Sequence, residues 1–176
     1  MSLRLQAAGI LRLNSHSSNV LAALRPLLLP CVEMSSHFQK LARMYLAAPI
    51  NARHDGLTMK VTDGAAKVSA RVSPSLHHAG GTVHGSYLFE LLDDAAFFAA
   101  SSVVEDVFIL TASFSIHFLR RVAEGTITAT GSLTKRSSSL LFADSVLLDA
   151  TGREIARGAG VFARSSVALA DVSSYS

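Results

Sequence analysis

One long apolar helix and the strands that follow it constrain the fold most strongly. Residues 85–104 predict a single helix with an interior rich in Leu, Ala and Phe, and such helices are usually buried on most sides. From Leu110 onward, apolar and polar residues alternate with a period of two, the pattern of strands with one buried face. The sequence therefore predicts an α+β architecture, with an antiparallel sheet of about six strands curled around one central helix.

The other predicted elements are short and follow in a simple order. They are a helix at 35–48, a hairpin of strands 57–61 and 66–72 around Asp63-Gly64, and strands 110–119, 126–134, 140–149 and 154–164. Because short links join the last four strands, we expect them to form an antiparallel meander. The opposite sheet face and the edges would remain for another subunit. Residues 166–176 are expected to form a polar, frayed tail.

Composition excludes several classes of protein. A chain of 176 residues, 49% of them apolar, supports one domain with a full core and excludes disorder over most of its length. The single cysteine, Cys31, excludes a disulfide framework and a cysteine zinc cluster. Since no run of about 18 uncharged apolar residues occurs, we expect no membrane span.

The positive charge is concentrated near the N-terminus. The formal net charge is +3, and residues 1–32 contain three arginines and no acid. That segment has the composition of an organellar transit peptide, or else it precedes a true start of translation at Met34. We treat 1–33 as an N-terminal extension and expect the domain at 34–165. Its location would be cytoplasmic, or the mitochondrial matrix if the extension is a transit peptide. The domain lacks a basic stripe interleaved with aromatics, so no nucleic-acid partner is expected.

The junction between loop and central helix carries the candidate chemistry. Gly80, Gly81 and Gly85 would let backbone pass close to a ligand. A helix that begins near Gly85 points unpaired N–H groups outward, where they suit a developing oxyanion. Two turns along, this apolar helix carries Asp93 and Asp94, which are costly to bury without partners or a function. Neighbouring helical residues point about 100° apart, so both acids cannot line one small site.

The residues alone leave plainer interpretations open. In one, an acid of the pair faces solvent and the other caps a neighbouring loop. His84, just before the helix, suits a structural hydrogen bond better than acid–base chemistry. His77 and His78 lack a further pair at metal-ligand spacing, so no metal site is expected. The sequence also contains no Gly-x-Ser-x-Gly elbow, phosphate loop or dinucleotide fingerprint.

At this junction the sequence resembles a known family. Residues 78–97, HAGGTVHGSYLFELLDDAAF, resemble the signature of hotdog-fold acyl-CoA thioesterases of the phenylacetate-degradation (PaaI-like) branch. That signature is approximately Asn-x-x-Gly-x-x-His-Gly-Gly, with an Asp eight residues beyond the first Gly of the final pair, as Asp93 follows Gly85. The resemblance covers about residues 36–165. It implies hydrolysis of an acyl-CoA to a carboxylic acid and free CoA without a cofactor, at a site between subunits of a homodimer or homotetramer.

The resemblance also implies roles for individual residues. Asp93 matches the family's general base or nucleophile, Gly85 would polarise the thioester carbonyl through its N–H, and Thr111 matches a hydroxyl that helps hold the attacking water. His78 stands where many relatives have Asn, and its imidazole would donate one hydrogen bond to the carbonyl or water. Ser86 replaces the second Gly and adds a side chain at the helix start. Substrate contacts are expected from His84, Gly81, Ser86 and Phe89.

Three questions stay open at the level of sequence. One of the pairs Arg120-Arg121 and Lys135-Arg136 is a candidate for the phosphates of CoA, the alternative being a solvated strand end. The departures at His78 and Ser86 keep open a non-catalytic module that binds acyl-CoA. A hotdog hydratase or dehydratase is a further alternative, although no loop pairing an Asp with a His is evident.

Overall fold

Helix α2 (Gly85–Ser101) lies at the centre of the fold, and six antiparallel strands curl around it. The structure, a computed structural model, describes residues 36–175; the expected N-terminal extension and its boundary lie outside that range. The predicted α+β architecture is confirmed. In chain order the elements are α1 (His37–Ala47), a 3-10 helix (Pro49–Arg53), β1 (Asp55–Thr62), β2 (Ala65–Arg71), a 3-10 turn (Pro74–Leu76), α2, β3 (Val107–Phe118), β4 (Thr126–Arg136), β5 (Leu140–Leu148), β6 (Glu154–Ala168) and two 3-10 turns (Leu169–Asp171 and Ser173–Tyr175).

The interior of α2 is apolar because the sheet encloses most of its circumference. Leu91, Leu92 and Ala95 are completely buried, and they pack with the inward side chains of the strands. On β4 the strand and helix backbones meet at Gly131, where an added Cβ would lie 2.0 Å from the carbonyl oxygen of Ala95. Only a glycine fits at this contact. The helix is therefore held directly against the sheet.

The strand order corrects the predicted four-strand meander. The sheet runs β1-β2-β4-β5-β6-β3, so only β4, β5 and β6 form a meander. β2 occupies the side of β4 where β3 was expected, with Ala65 paired to Ser132 and Arg71 to Thr126. β3 instead pairs along β6 at the edge of the sheet. The connection from β3 to β4 must therefore cross the end of the sheet, and it passes the start of α2, where Val83 N–H donates to Val122 O at 2.9 Å.

The predicted frayed tail at 166–176 is also wrong for residues 166–175, the part that the structure describes. β6 continues to Ala168; of the two 3-10 turns that follow, Leu169–Asp171 packs against β3 and Ser173–Tyr175 packs against α1. Leu169 is buried, its backbone N–H donates to Asp106 O at 3.0 Å, and the Tyr175 hydroxyl lies 2.6 Å from His37 Nδ1. Apolar and aromatic residues spaced among the serines of this stretch provide the contacts that order it.

Helix α1 forms close to where it was predicted. Ser36 and Gln39 build a capping box at its start, and Pro49 follows its end. Its buried face carries Leu41, Met44 and Tyr45, and the last of these reaches α2. Among residues 36–175, no helix has the length and apolar character needed to cross a membrane.

Candidate active site

The start of α2 presents a backbone donor. His84 caps the helix, because its Nδ1 accepts a hydrogen bond from the backbone N–H of Ser86 at 3.1 Å. The N–H of Gly85, the first helical residue, meets no acceptor within the described part of the chain. The Phe118 ring lies against Gly85, where an added Cβ would be 3.0 Å from Phe118 Cζ. The Gly85 N–H is therefore available to a ligand.

His78 uses both ring nitrogens inside its own loop. Nδ1 accepts a hydrogen bond from the backbone N–H of Gly80 at 2.9 Å, and Nε2 lies 3.0 Å from Thr82 Oγ1. Gly81, with a φ of 74°, provides the turn between them. In this arrangement neither ring nitrogen is left for the substrate carbonyl or the water that the sequence assigned to it.

Asp93 lies two turns along α2 and meets β3. The Thr111 hydroxyl donates to its carboxylate, with Oγ1 3.1 Å from Oδ1 and 3.2 Å from Oδ2. Burial raises the pKa of Asp93, and the hydrogen bond from Thr111 opposes that rise. The fold thus brings together a carboxylate and a hydroxyl that are 18 positions apart in the sequence. A carboxylate with raised basicity is suited to take a proton from water.

Asp94 points to another side of α2, toward α1. It accepts a hydrogen bond of 2.8 Å from the Tyr45 hydroxyl. Burial raises the pKa of Asp94 to about 7; the Tyr45 hydrogen bond lowers it, and the charges of Glu90 and Asp93 raise it. Burial is also the main reason that the pKa of Tyr45 is raised. The plainer interpretation, one acid in solvent and one capping a loop, does not describe this pair.

Sequence reasoning missed a polar cluster around Glu90. The side chain of His54 is fully buried, with Nδ1 3.0 Å from the Tyr87 hydroxyl and Nε2 3.2 Å from Glu90 Oε1. Arg53 closes the cluster with an ion pair to Glu90 at 2.5 Å. These contacts tie the 3-10 helix that follows α1 to the first turns of α2. The spacing of Glu90 before the two aspartates was a signal, but nothing in the sequence marked His54.

One group of site residues lines a cleft at the start of α2, which we call the arginine cleft. It has a volume of 610 Å³ and lies between the loop before α2 and the β3–β4 connection. The polar residues that line it are His78, Thr82, Arg120 and Arg121, together with the backbone at Gly85. No carboxylate lines it. The other candidate pair, Lys135-Arg136, lies at the end of β4 and is absent from its walls.

The other group lines a second cleft, which we call the carboxylate cleft. Its volume is 510 Å³, and its walls include His84, Ser86, Phe89, Glu90, Asp93 and Asp94. The expectation that the two aspartates cannot line one site is therefore wrong, because the cleft is wide enough to meet two sides of α2. An apolar pocket of 370 Å³ adjoins the same carboxylates. Thr111 lines that pocket, and its apolar walls are Met44, Phe97, Phe98, Phe108 and Leu110. A proton acceptor therefore stands beside a space suited to an apolar group.

Within one chain, the residues of the arginine cleft and those of the carboxylate cleft do not form a single site. Gly85 and Asp93 are eight residues apart on one helix, which corresponds to about 12 Å along its axis. A single small reacting group cannot contact both. Within residues 36–175, no three His, Cys, Asp or Glu side chains are grouped to hold a metal ion.

Comparisons with known proteins agree with this architecture. Residues 80–156 match the family model of the thioesterase superfamily. A conserved protein from Pseudomonas aeruginosa superposes with a TM-score of 0.65 at 25% identity, over 70% of this chain and 99% of that one. The PaaI protein from the phenylacetic acid degradation operon of E. coli gives 0.67 at 22% identity, over 76% and 99%. A thioesterase family protein from Silicibacter pomeroyi gives 0.66 at 23% identity, over 73% and 98%. A comparison with curated proteins gave no significant match.

The fold and these matches define the class of protein. A six-stranded antiparallel sheet curled around one long helix, shared with solved thioesterase-family structures, is a hotdog domain. Residues 80–156, which match the model of the thioesterase superfamily, span α2 and the strands from β3 to the start of β6.

Proposed function

We propose that the protein is an acyl-CoA thioesterase in which Asp93 is the general base. The observation that carries the proposal is the Thr111–Asp93 pair beside the apolar pocket. This pair offers a proton acceptor of raised pKa, a hydroxyl that fixes its orientation, and adjoining space for an acyl chain. No other carboxylate of the described residues combines these three features with a place at the edge strand.

The chemistry follows from these groups. Asp93 takes a proton from water as the water oxygen attacks the thioester carbon. The carbonyl oxygen becomes an oxyanion, which a backbone N–H such as that of Gly85 stabilises. When the oxyanion collapses, the C–S bond breaks, and the thiolate of CoA leaves and takes up a proton. A thioester is already activated, so one base and an oxyanion donor suffice for this reaction.

The complete site requires two copies of the chain. Because about 12 Å of helix separates Gly85 from Asp93, we propose that Asp93 of one protomer faces the loop and Gly85 of its partner. β3, which carries Thr111, lies at the edge of the sheet, and one of its sides is unpaired within residues 36–175. It exposes Leu110 at 55% and Phe118 at 53%. Exposed apolar side chains on an open edge strand favour association with a second copy.

The arginine cleft supports CoA as the thiol carrier. The Arg120 guanidinium donates to the backbone carbonyl of Glu154, and this hydrogen bond holds the Arg120 side chain beside the cleft. Arg121 forms no ion pair with any carboxylate of the described chain, and it lines the cleft with the Gly85 backbone. Cationic side chains in a cleft without carboxylates suit the phosphates of CoA.

A complementation experiment tests both the reaction and the shared site. Gly85→Pro removes the N–H at the first helical position, where proline is tolerated, and Gly85→Ala is the control that keeps the N–H. We expect Gly85→Pro and Asp93→Asn to be inactive alone toward a panel of acyl-CoAs, with release of thiol as the assay. Mixed after dissociation, they should regain about a quarter of wild-type activity, because a heterodimer contains one intact site.

Three results would count against the proposal. No regain on mixing would place the whole site in one chain. Tight, saturable binding of acyl-CoA without release of thiol would favour the non-catalytic module. Equal loss of kcat/KM for acyl-CoA and for acyl-N-acetylcysteamine in Arg121→Ala would remove the assignment of the phosphates, since only the first substrate carries them.

A further inference from the structure

The loop that precedes α2 is closed by hydrogen bonds from both the backbone and the ring of one residue. The His78 N–H donates to Thr82 O at 3.0 Å, and the Gly81 N–H donates to His78 O at 2.9 Å. The ring adds the contacts to the Gly80 N–H and to Thr82 Oγ1. Only a glycine at position 80 permits this, because a Cβ there would lie 2.7 Å from His78 Cε1. The ring is therefore built into the loop.

These contacts decide which atom carries the proton of the ring. The Gly80 N–H can only donate, so Nδ1 of His78 must present its lone pair. An imidazole keeps at least one N–H, so the proton is on Nε2, which donates to Thr82 Oγ1. The reverse direction, with the Thr82 hydroxyl donating to Nε2, would leave the ring without a proton. The hydroxyl proton of Thr82 is thus not used within the loop.

The Thr82 hydroxyl, whose hydrogen has no acceptor in the loop, lies at the arginine cleft. Thr82 is half-buried and lines this cleft together with Gly85. An oxygen that accepts a hydrogen bond becomes a better donor, because the bonds along such a chain polarise one another. The Nε2–H of His78 is therefore used by Thr82 Oγ1, and the O–H of Thr82 remains available as a donor at the cleft.

We propose that the Thr82 hydroxyl, together with the Gly85 N–H, donates to the carbonyl oxygen of the thioester, and that His78 is the residue that positions it. The proposal rests on the thioesterase function proposed above and gives the departure at position 78 a defined task. His78 itself does not touch the substrate; Thr82 does.

Substitutions at the two positions test the assignment. Thr82→Val keeps the shape and removes the hydroxyl, and we expect kcat to fall by about 100-fold with little change in KM, the loss of one oxyanion donor. Thr82→Ser restores the hydroxyl and should recover kcat to within a few-fold. His78→Ala should lower kcat in the wild-type background and have little further effect in Thr82→Val, because the two act as one unit. A Thr82→Val enzyme within twofold of wild type would overturn the proposal, and so would equal effects of His78→Ala in both backgrounds.

The tautomer of His78 gives a readout that does not depend on activity. In the full-length protein, nitrogen NMR of the His78 ring should show Nδ1 unprotonated and Nε2 protonated at neutral pH, in Thr82→Ser as in wild type. A proton on Nδ1 in an active enzyme would overturn this inference and leave the thioesterase function standing. A wild-type protein that hydrolyses no acyl-CoA would overturn both.

Discussion

Asp93 and Asp94 are neighbours on α2, yet the two sides of the helix surround them differently. On the β3 side, Asp93 accepts from Thr111 and lies beside an open edge strand. On the α1 side, Asp94 accepts from Tyr45 and stands close to Glu90 and its partners. Burial is the largest cause of the raised pKa at both. In the proposed dimer, the β3 side is the one that receives a group from the second chain.

The comparison shows that a shifted pKa and a catalytic role are separate properties. Asp94 has a pKa raised to about 7, a value suited to a general base at neutral pH. Burial, helped by the nearby charges of Glu90 and Asp93 and opposed by the hydrogen bond from Tyr45, accounts for that value without a substrate. A choice made on pKa alone would select Asp94. The geometry of the edge strand selects Asp93.

Exchange of each carboxylate for its amide should give the largest difference between the two sides. We expect Asp93→Asn to lower kcat for acyl-CoA hydrolysis by about 10²- to 10⁴-fold, the usual worth of a general base. Asp94→Asn should keep kcat within about tenfold, because the amide oxygen still accepts from Tyr45. Circular dichroism should show both variants folded. Comparable losses of kcat in the two variants would contradict the assignment of Asp93, and not Asp94, as the general base.

Removal of each hydroxyl donor gives a smaller effect of the same kind. Thr111→Val should lower kcat by about tenfold through lost orientation of Asp93. Since the Thr111 hydrogen bond lowers the pKa of Asp93, its loss should move the acid limb of the kcat/KM profile to higher pH. Tyr45→Phe is the matched change on the α1 side and should leave that limb where it is. A profile unchanged in Thr111→Val would contradict the assigned contact.

The α1 side should instead be visible in stability. The pKa of Asp94 is about 7 in the folded protein and near its ordinary value of about 3.9 when unfolded. Between these values the folded state holds a proton that the unfolded state releases, so stability falls as the pH rises from about 4 to about 7. Asp94→Asn cannot titrate. As the pH rises across this range, the melting temperature of Asp94→Asn should therefore increase relative to that of the wild type. A difference in melting temperature that stays constant with pH would show that Asp94 does not titrate there.

A buried hydroxyl without a partner provides the smallest expected effect. Ser145 is 2% exposed, and its Oγ finds no hydrogen-bond partner among the described residues. Ser145→Ala should raise the free energy of unfolding by about 1 kcal/mol, because it removes an unsatisfied polar group. Chemical denaturation would measure the change, with Ser101→Ala as a comparison within α2. A destabilised Ser145→Ala would mean that the hydroxyl does have a partner in the folded protein.

Local sequence patterns predicted the helices and strands of this architecture. Contacts between segments far apart in the sequence were harder to predict. The period-two run after Leu110 and the apolar helix at 85–104 indicated the sheet and its central helix. β3 lies beside β6 because β2 already occupies the free edge of β4. The lengths of the links between strands do not carry this information. In the same way, only the resemblance assigned Asp93 and Thr111 to one site, and their direct contact is seen in the structure alone. The contact of Tyr45 with Asp94 joins two helices that no local pattern relates.

The contact at Gly131 has a consequence for how this protein can diverge. Because the α2 backbone rests directly on β4, the helix has almost no freedom to turn about its axis. The directions in which Asp93 and Asp94 point are thus set by the strand beneath them. Moving the reactive carboxylate from one position to the other would require a rotation of about 100°. A descendant of this chain could alter its pocket or its loop readily, but it would have to rebuild a strand to change the residue proposed here as the general base.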